Sequence, residues 1–162
     1  NGARQVGKTY ILKEFGKNEY ENFYHFDFDQ DANKLIPIFE KGLNPVELLL
    51  NLSIFLEKKI NPDDLIIFDE IDSGVSGYVA NQVAKRMKNI SKETQVICIT
   101  HIPQVAALSD HHLYISKSVE SERTKANIKL LLGDEKVFEI ASMISGDNVS
   151  EASLLSAKEL LK

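Results

Sequence analysis

Eight residues at the start of the chain have the types and the spacing of a loop that holds phosphate groups. Its glycines permit backbone angles that turn successive N–H groups toward an anion, and the helix that follows adds partial positive charge at its N-terminus. The Lys8 side chain can reach the terminal phosphates of a nucleotide, and the Thr9 hydroxyl can bind Mg²⁺. The residues predicted to bind the phosphates are Gly2, Ala3, Arg4, Gln5, Val6, Gly7, Lys8 and Thr9.

Two carboxylates follow a short apolar run, Leu65-Ile66-Ile67-Phe68, which is typical of a buried strand. Ligands of α/β sheets bind beyond the carboxyl ends of the strands, so Asp69 and Glu70 are expected at such a site. Asp69 suits Mg²⁺, held through water, because hard cations prefer oxygen ligands. Glu70 can act as the general base that polarises an attacking water molecule. These residues predict hydrolysis of a nucleoside triphosphate, with Thr9 and Asp69 at the metal and Glu70 catalytic.

A histidine follows the next apolar run, at residues 95–100. If that run is a strand of the same sheet, His101 lies at the same edge, within reach of a γ-phosphate. A histidine at the end of a strand is more often structural than functional. The convergence of three strand ends on one site nevertheless favours a function, and His101 is predicted as a second catalytic residue.

Other polar residues are predicted to take no part in the chemistry. His25 lies in a strand that alternates aromatic and polar residues and is predicted to face solvent. Cys98 lies in the middle of a strand and is predicted to be a buried small apolar residue. The basic residues Lys85, Arg86 and Lys88 are predicted to form the solvent-facing side of their helix.

Apolar strands that alternate with helices predict an α/β fold, a P-loop NTPase three-layer sandwich around a mainly parallel sheet, in one domain over residues 1–162. This predicted fold contains no strand before the phosphate loop, because the loop begins at residue 2. The helix that starts at Asn44 is apolar nearly all round, which predicts burial. Helices are predicted near residues 8–15, 31–40, 77–89, 136–144 and 151–161 and after Asn44 and Pro103, and strands at 23–28, 65–68, 95–100, 113–119 and 126–132.

The composition is that of an ordinary globular protein, with 162 residues and a net charge of −5. An acidic chain has no broad basic face, so strong binding of this segment to DNA is not expected. A single cysteine excludes an internal disulfide framework and suits a cytoplasmic location. No signal peptide or membrane-spanning stretch is visible, so no membrane partner is predicted.

From residue 65 to residue 162 the chain resembles RecN, a bacterial DNA-repair ATPase family related to SMC proteins. The resemblance is carried by IFDEIDSGVSG at residues 67–77, ITHIPQVAA at 99–107, DHH at 110–112 and AKELL at 157–161. It implies that Asp69 and Glu70 form a Walker B pair and that His101 is a switch histidine. It also implies a D-loop, from Asp72 to Gly77, through which an ATP-sandwich homodimer forms. The role it implies is ATP-driven handling of DNA ends in double-strand-break repair, with DNA bound in the context of a full-length protein.

Residues 1–71 resemble a different group, the AAA-type ATP-binding proteins of bacteria and archaea. This second resemblance is carried by GARQVGKT at residues 2–9, EFG at 14–16 and NPDD at 61–64. The chain is therefore interpreted as a mosaic, with an AAA-like front half over residues 1–64 and a RecN-like back half over residues 65–162. The two resemblances meet at the Walker B strand, and both imply ATP and Mg²⁺ as ligands.

Two RecN features are not found in the sequence: a Leu-Ser-Gly-Gly signature before the Walker B strand, and a long heptad segment for a coiled-coil arm. Three interpretations stay open. The chain is a RecN-like ATPase head segment, or an AAA-type ATPase that uses another trans-acting residue such as an arginine finger, or a nucleotide-binding or structural module without turnover. The histidine at position 101 favours the first over the second, and the absent signature together with the absent first strand favours the third.

Overall fold

A computed structural model describes residues 7–41, 44–72, 77–120 and 123–162. The chain divides into two compact units, Lys8–Thr100 and a unit that comprises His101–Lys162, and each is described by itself. The single domain expected over residues 1–162 stays a prediction. In the described ranges, no helix has both the length and the apolar character needed to cross a membrane.

The unit Lys8–Thr100 is built on a parallel sheet of three strands in the order β1-β2-β3. The strands are β1 (Phe23–Asp27), β2 (Leu65–Asp69) and β3 (Gln95–Cys98). All five residues of β2 are buried, as expected for a central strand with neighbours on both sides and covered faces. The predicted α/β fold around a parallel sheet is confirmed.

Among the described residues of this unit, four helices accompany the sheet: α1 (Lys8–Glu19), α2 (Phe28–Glu40), α3 (Pro45–Leu56) and α4 (Gly77–Ile90). α1 runs four residues past its predicted end. Gly16 lets it lie close to β1, since a Cβ at this position would come within 2.6 Å of the Phe23 ring. At the start of α2, the Asp27 side chain accepts a hydrogen bond from the backbone amide of Asp29. At the start of α3, the Asn44 side chain accepts one from the backbone amide of Val46.

A group of phenylalanines forms the centre of this unit. Phe68 of β2 packs against Phe26, Phe28 and Phe39, with ring centroids 5.3, 6.2 and 5.6 Å away. All four side chains are at most 1% exposed. Because Phe68 directly precedes Asp69, this packing fixes the backbone that carries the acidic pair.

Two expectations about helix faces are wrong. α3 buries Leu48 and Leu52 but exposes Val46, Leu50 and Ile54, at 59–70% of their surface, so it is covered on one side only. On α4, Arg86 is 7% exposed and its Nη2 donates to the carbonyl oxygen of Glu40 over 3.4 Å. Arg86 therefore does not belong to a solvent-facing basic side.

The second unit joins three helices and a hairpin, with the elements α5 (Pro103–Ala107), β4 (His112–Glu120), β5 (Arg123–Leu131), α6 (Asp134–Ser145) and α7 (Glu151–Leu160). β4 and β5 pair antiparallel along nine residues each, as the predicted terminal strand pair requires. The helices meet at small side chains, among them Ala106, Ala141 and Ala157, around the fully buried Ile140. Large apolar side chains of the hairpin, such as Leu113 and Ile128, are more than half exposed.

Candidate functional site

The structure brings Thr9 and Asp69 together. Thr9 lies in the first turn of α1, and Asp69 is the last residue of the central strand β2. The Thr9 hydroxyl donates to Oδ2 of Asp69 over 2.6 Å, across 60 positions of the sequence. The N-terminus of α1 therefore lies at the carboxyl end of the sheet, where α/β proteins bind ligands.

Asp69 is held by two donors at one oxygen. It is 3% exposed, and its Oδ2 also lies 3.2 Å from Nε2 of His25. Burial by itself raises the pKa of Asp69, but the hydrogen bonds from His25 and Thr9 lower the pKa below its ordinary value. An ionised carboxylate only accepts hydrogen bonds, so His25 Nε2 carries the proton in this contact.

The second oxygen of the same carboxylate has no such partner. Asp69 Oδ1 is buried and makes no hydrogen bond within the part of the chain that the structure describes. A buried anionic oxygen without a partner is costly unless a cation or ordered water satisfies it. With the Thr9 hydroxyl on the other oxygen of the same carboxylate, Oδ1 fits a hard cation such as Mg²⁺, which takes few protein ligands and keeps several waters.

Glu70 leaves the strand in an unusual conformation. Its φ of 50° lies in the left-handed region, although it is not glycine. That region costs a residue with a Cβ about 1–2 kcal/mol. Backbone strain of this size often marks a functional position, where it directs a side chain away from the path of the strand. Glu70 is half-buried.

The segment after Glu70 is tied to the end of the neighbouring strand. Thr100 Oγ1 donates to Oδ1 of Asp72 over 2.8 Å, which links the chain beyond β3 to the first residue of the predicted D-loop. Ser73, Gly74, Val75 and Ser76 of that loop lie outside the described residues. Nearby, burial raises the pKa of the Cys98 thiol, and the charges of Asp72 and Asp69 raise that pKa further.

The remaining predicted residues are placed as follows. Gly2, Ala3, Arg4, Gln5 and Val6 lie outside the described residues. Gly7 has a φ of 72°, which glycine adopts without strain, and Lys8 begins α1 directly after it. His101 begins the second unit, is exposed, and stands two residues before α5.

His25 is the site residue that the sequence did not reveal. The expectation that it faces solvent is wrong, since only 15% of its side chain is exposed. It pairs in register with Ile67, two residues before Asp69, and side chains two apart in a strand lie on the same face of the sheet. The register of β1 against β2 therefore places His25 beside Asp69, and the local sequence around residue 25 does not reveal that register.

A comparison with known families places the chain. A family model described as an AAA domain matches residues 1–140. The chain belongs to the AAA domain family. The match covers the Thr9–Asp69 site of this AAA domain and extends beyond the hairpin.

The same AAA domain chain is also similar to RecN. It is 52% identical over 97 residues to the DNA repair protein RecN of Bacillus subtilis, which covers 60% of this chain and 17% of that protein. It is 49% identical over 114 residues to the RecN of Rickettsia felis, covering 70% and 20%. The chain thus spans about a fifth of the length of these relatives. The predicted resemblance to both RecN and AAA-type proteins is confirmed.

A solved structure from work on "ATP-driven dimerization and DNA stimulated activation of SMC ATPases" is also similar. It shares 28% sequence identity with this AAA domain chain, at a TM-score of 0.43. The similarity covers 67% of this chain and 62% of that one.

Proposed function

We propose that this chain is the nucleotide-binding part of a P-loop ATPase that binds ATP together with Mg²⁺. The observation that carries the proposal is the 2.6 Å hydrogen bond from Thr9 to Asp69. It joins the helix that follows the phosphate loop to the acidic end of the central strand. These are the two elements that a triphosphate and its cation must contact at once.

Each residue of the proposed site has a distinct task. Lys8, at the start of α1, supplies a positive charge to the β- and γ-phosphates, in addition to the partial charge of the helix N-terminus. Thr9 and Asp69 would hold Mg²⁺, which supplies neutralisation of phosphate charge when it is bound. Gly2 to Val6 are proposed to complete the phosphate loop with their backbone amides.

Hydrolysis is proposed to depend on Glu70. Its carboxylate takes a proton from a water molecule as the water oxygen forms a bond to the γ-phosphorus. The bond from that phosphorus to the β–γ bridging oxygen breaks, and ADP and phosphate leave. His101 is proposed to contact the γ-phosphate. Such a reaction is accelerated almost entirely by positioning and electrostatics, which suits a carboxylate held by a strained, fixed backbone.

The similarity to the DNA repair protein RecN supports a role in DNA repair, as the head segment of a longer protein. We propose that the repair is that of double-strand breaks. A homodimer through the D-loop from Asp72 to Gly77 is part of this proposal. DNA contacts are assigned to the full-length context, because the net charge of −5 gives this segment no excess of basic residues. The single cysteine fits the reducing cytoplasm, which we propose as the compartment.

A second candidate function rests on the family match. An AAA-type ATPase that completes its site with a trans-acting arginine is favoured by the AAA domain match over residues 1–140. A nucleotide-binding module without turnover would share the Thr9–Asp69 contact, but Glu70 would have no catalytic role in it. Turnover separates this last candidate from the other two.

The test of nucleotide binding is calorimetry with MgATP on two lysine variants of the same helix. Lys8→Ala removes the cation nearest the phosphates, so affinity should fall at least tenfold, about 1.4 kcal/mol. Lys17→Ala is the matched control, because Lys17 is exposed at the far end of α1 and contacts Glu14. Equal affinities of the two folded variants would contradict the proposal.

A further inference from the structure

His25 contacts the candidate metal residue Asp69 but has no role in the proposed hydrolysis. Its Nε2 lies 3.2 Å from Oδ2 of Asp69, in a region where both side chains are largely buried, at 15% and 4% exposed. His25 is largely buried, and its contact with Asp69 is distinct from the contacts of its neighbours on β1. The neighbouring strand positions, Tyr24 and Phe26, make their own contacts, with the carbonyl oxygen of Lys59 and with Phe68.

The two donors at Oδ2 restrict the carboxylate more than one would. A single hydrogen bond from Thr9 restrains the carboxylate only loosely, because the carboxylate can turn about its Cβ–Cγ bond while the Thr9 hydroxyl turns with it. A second donor on another strand, His25 on β1, restricts that rotation. Both donors act on Oδ2, so Oδ1 is left without a hydrogen bond within the described residues.

We infer that His25 is a positioning residue, which orients the Asp69 carboxylate so that its unpartnered oxygen can serve Mg²⁺. The inference rests on the proposed function. His25 acts through Asp69 and does not itself bind the cation or the nucleotide. Outer partners of metal ligands commonly act in this way, by fixing the orientation of the ligand that they contact.

A purely structural histidine would make the same contact. If His25 only satisfied a buried carboxylate, its loss would lower the stability of the fold and weaken nucleotide binding equally with and without the metal. A positioning role instead weakens only the part of the binding that depends on Mg²⁺. The two roles therefore differ in the metal dependence of ATP binding, a quantity that needs no turnover.

The experiment compares two polar replacements with a control on the same strand. His25→Gln keeps an Nε2–H that can occupy the position of the histidine Nε2, whereas the amide of His25→Asn is one methylene shorter. Tyr24→Phe is the control, because it removes the hydrogen bond from the Tyr24 hydroxyl to Lys59 and touches nothing at Asp69. For each variant, ATP binding is titrated by calorimetry across Mg²⁺ concentrations and in EDTA, and folding is checked by thermal melting.

His25→Asn should raise the Mg²⁺ concentration for half-maximal ATP binding about tenfold or more, with binding in EDTA changed by less than about twofold. His25→Gln and Tyr24→Phe should stay within about threefold of the wild type. Equal behaviour of the Asn and Gln variants would overturn the inference, and so would an Asn variant weakened alike with and without Mg²⁺. If the Asn variant does not fold, the Gln variant provides the test. An increase of about tenfold in its Mg²⁺ concentration for half-maximal ATP binding would also overturn the inference. A wild-type chain without Mg²⁺-dependent ATP binding would instead overturn the proposed function.

Discussion

The strand β2 and the two strands of the β4–β5 hairpin all have hydrogen-bonded neighbours, but their side chains differ in burial. Every side chain of β2 is buried, whereas Leu113, Ile128 and Leu130 of the hairpin are 40–55% exposed. The buried strand has five residues and each hairpin strand has nine. Strand length therefore does not measure how firmly a strand is held by packing.

The candidate site lies at the end of the more buried of the two. The phenylalanines around Phe68 fix the backbone just before Asp69, and two donors fix its carboxylate. Metal and phosphate sites need side chains held within fractions of an ångström, and packing on both faces of a short strand provides this. The hairpin satisfies its backbone by pairing, but its exposed side chains give no comparable support.

The largest expected difference between the two regions is in stability. Phe68→Ala removes a buried ring among three other rings and should lower the free energy of unfolding by about 3–5 kcal/mol. Leu113→Ala truncates an apolar side chain on β4 that is 55% exposed, and should cost less than about 1 kcal/mol. Urea unfolding of both variants measures the difference. Similar losses would show that burial does not separate the two regions.

The chemistry should respond to a change that leaves the packing alone. Glu70→Gln keeps the size of the side chain and its left-handed backbone, so unfolding should be unaffected while any ATP hydrolysis falls about a hundredfold, the usual contribution of a general base. Steady-state phosphate release, with ATP binding measured alongside, checks this. A variant that turns over like an active wild type would place the base elsewhere.

A smaller expected effect is on the stability of the fold at acid pH, and it comes from Asp69 in the sheet of β1, β2 and β3. Because the pKa of Asp69 lies below its ordinary value of 3.8, the ionised carboxylate stabilises the fold fully above that value. This contribution is lost as the pH falls through the lower, folded-state pKa. Asp69→Asn should therefore flatten the loss of unfolding free energy below about pH 4 in urea titrations. A slope identical to that of the wild type would mean that Asp69 gains nothing from Thr9 and His25.

Much of the architecture could be predicted from local signals. The apolar run before Asp69 predicted β2, and Asn44 with Pro45 predicted the start of α3, because strand burial and helix capping are written in adjacent residues. The meeting of Thr9 with Asp69 was predicted by two motifs that share one task. These signals need no knowledge of which elements pack together.

Three of the errors concern the surroundings of a side chain. The apolar surface of α3 suggested burial all round, but the elements packed on it cover only the side of Leu48 and Leu52. Arg86 was assigned to solvent by its charge, although its long side chain reaches the carbonyl of Glu40. His25 was assigned to solvent because the register of β1 against β2 could not be known. Each of these depends on long-range pairing, which a local pattern does not contain.

The most direct test of the account is a double-mutant cycle on the two residues that define the site. Thr9→Val, Asp69→Asn and the double variant are compared for MgATP affinity by calorimetry, with melting curves to establish folding. Thr9 and Asp69 share one hydrogen bond and one proposed cation, so the effects of the two substitutions on MgATP affinity should be coupled by at least about 1 kcal/mol. The double variant should then bind MgATP only slightly less tightly than the single variant with the lower affinity. Effects that add within about 0.5 kcal/mol would show that the two residues act independently and would contradict the shared site.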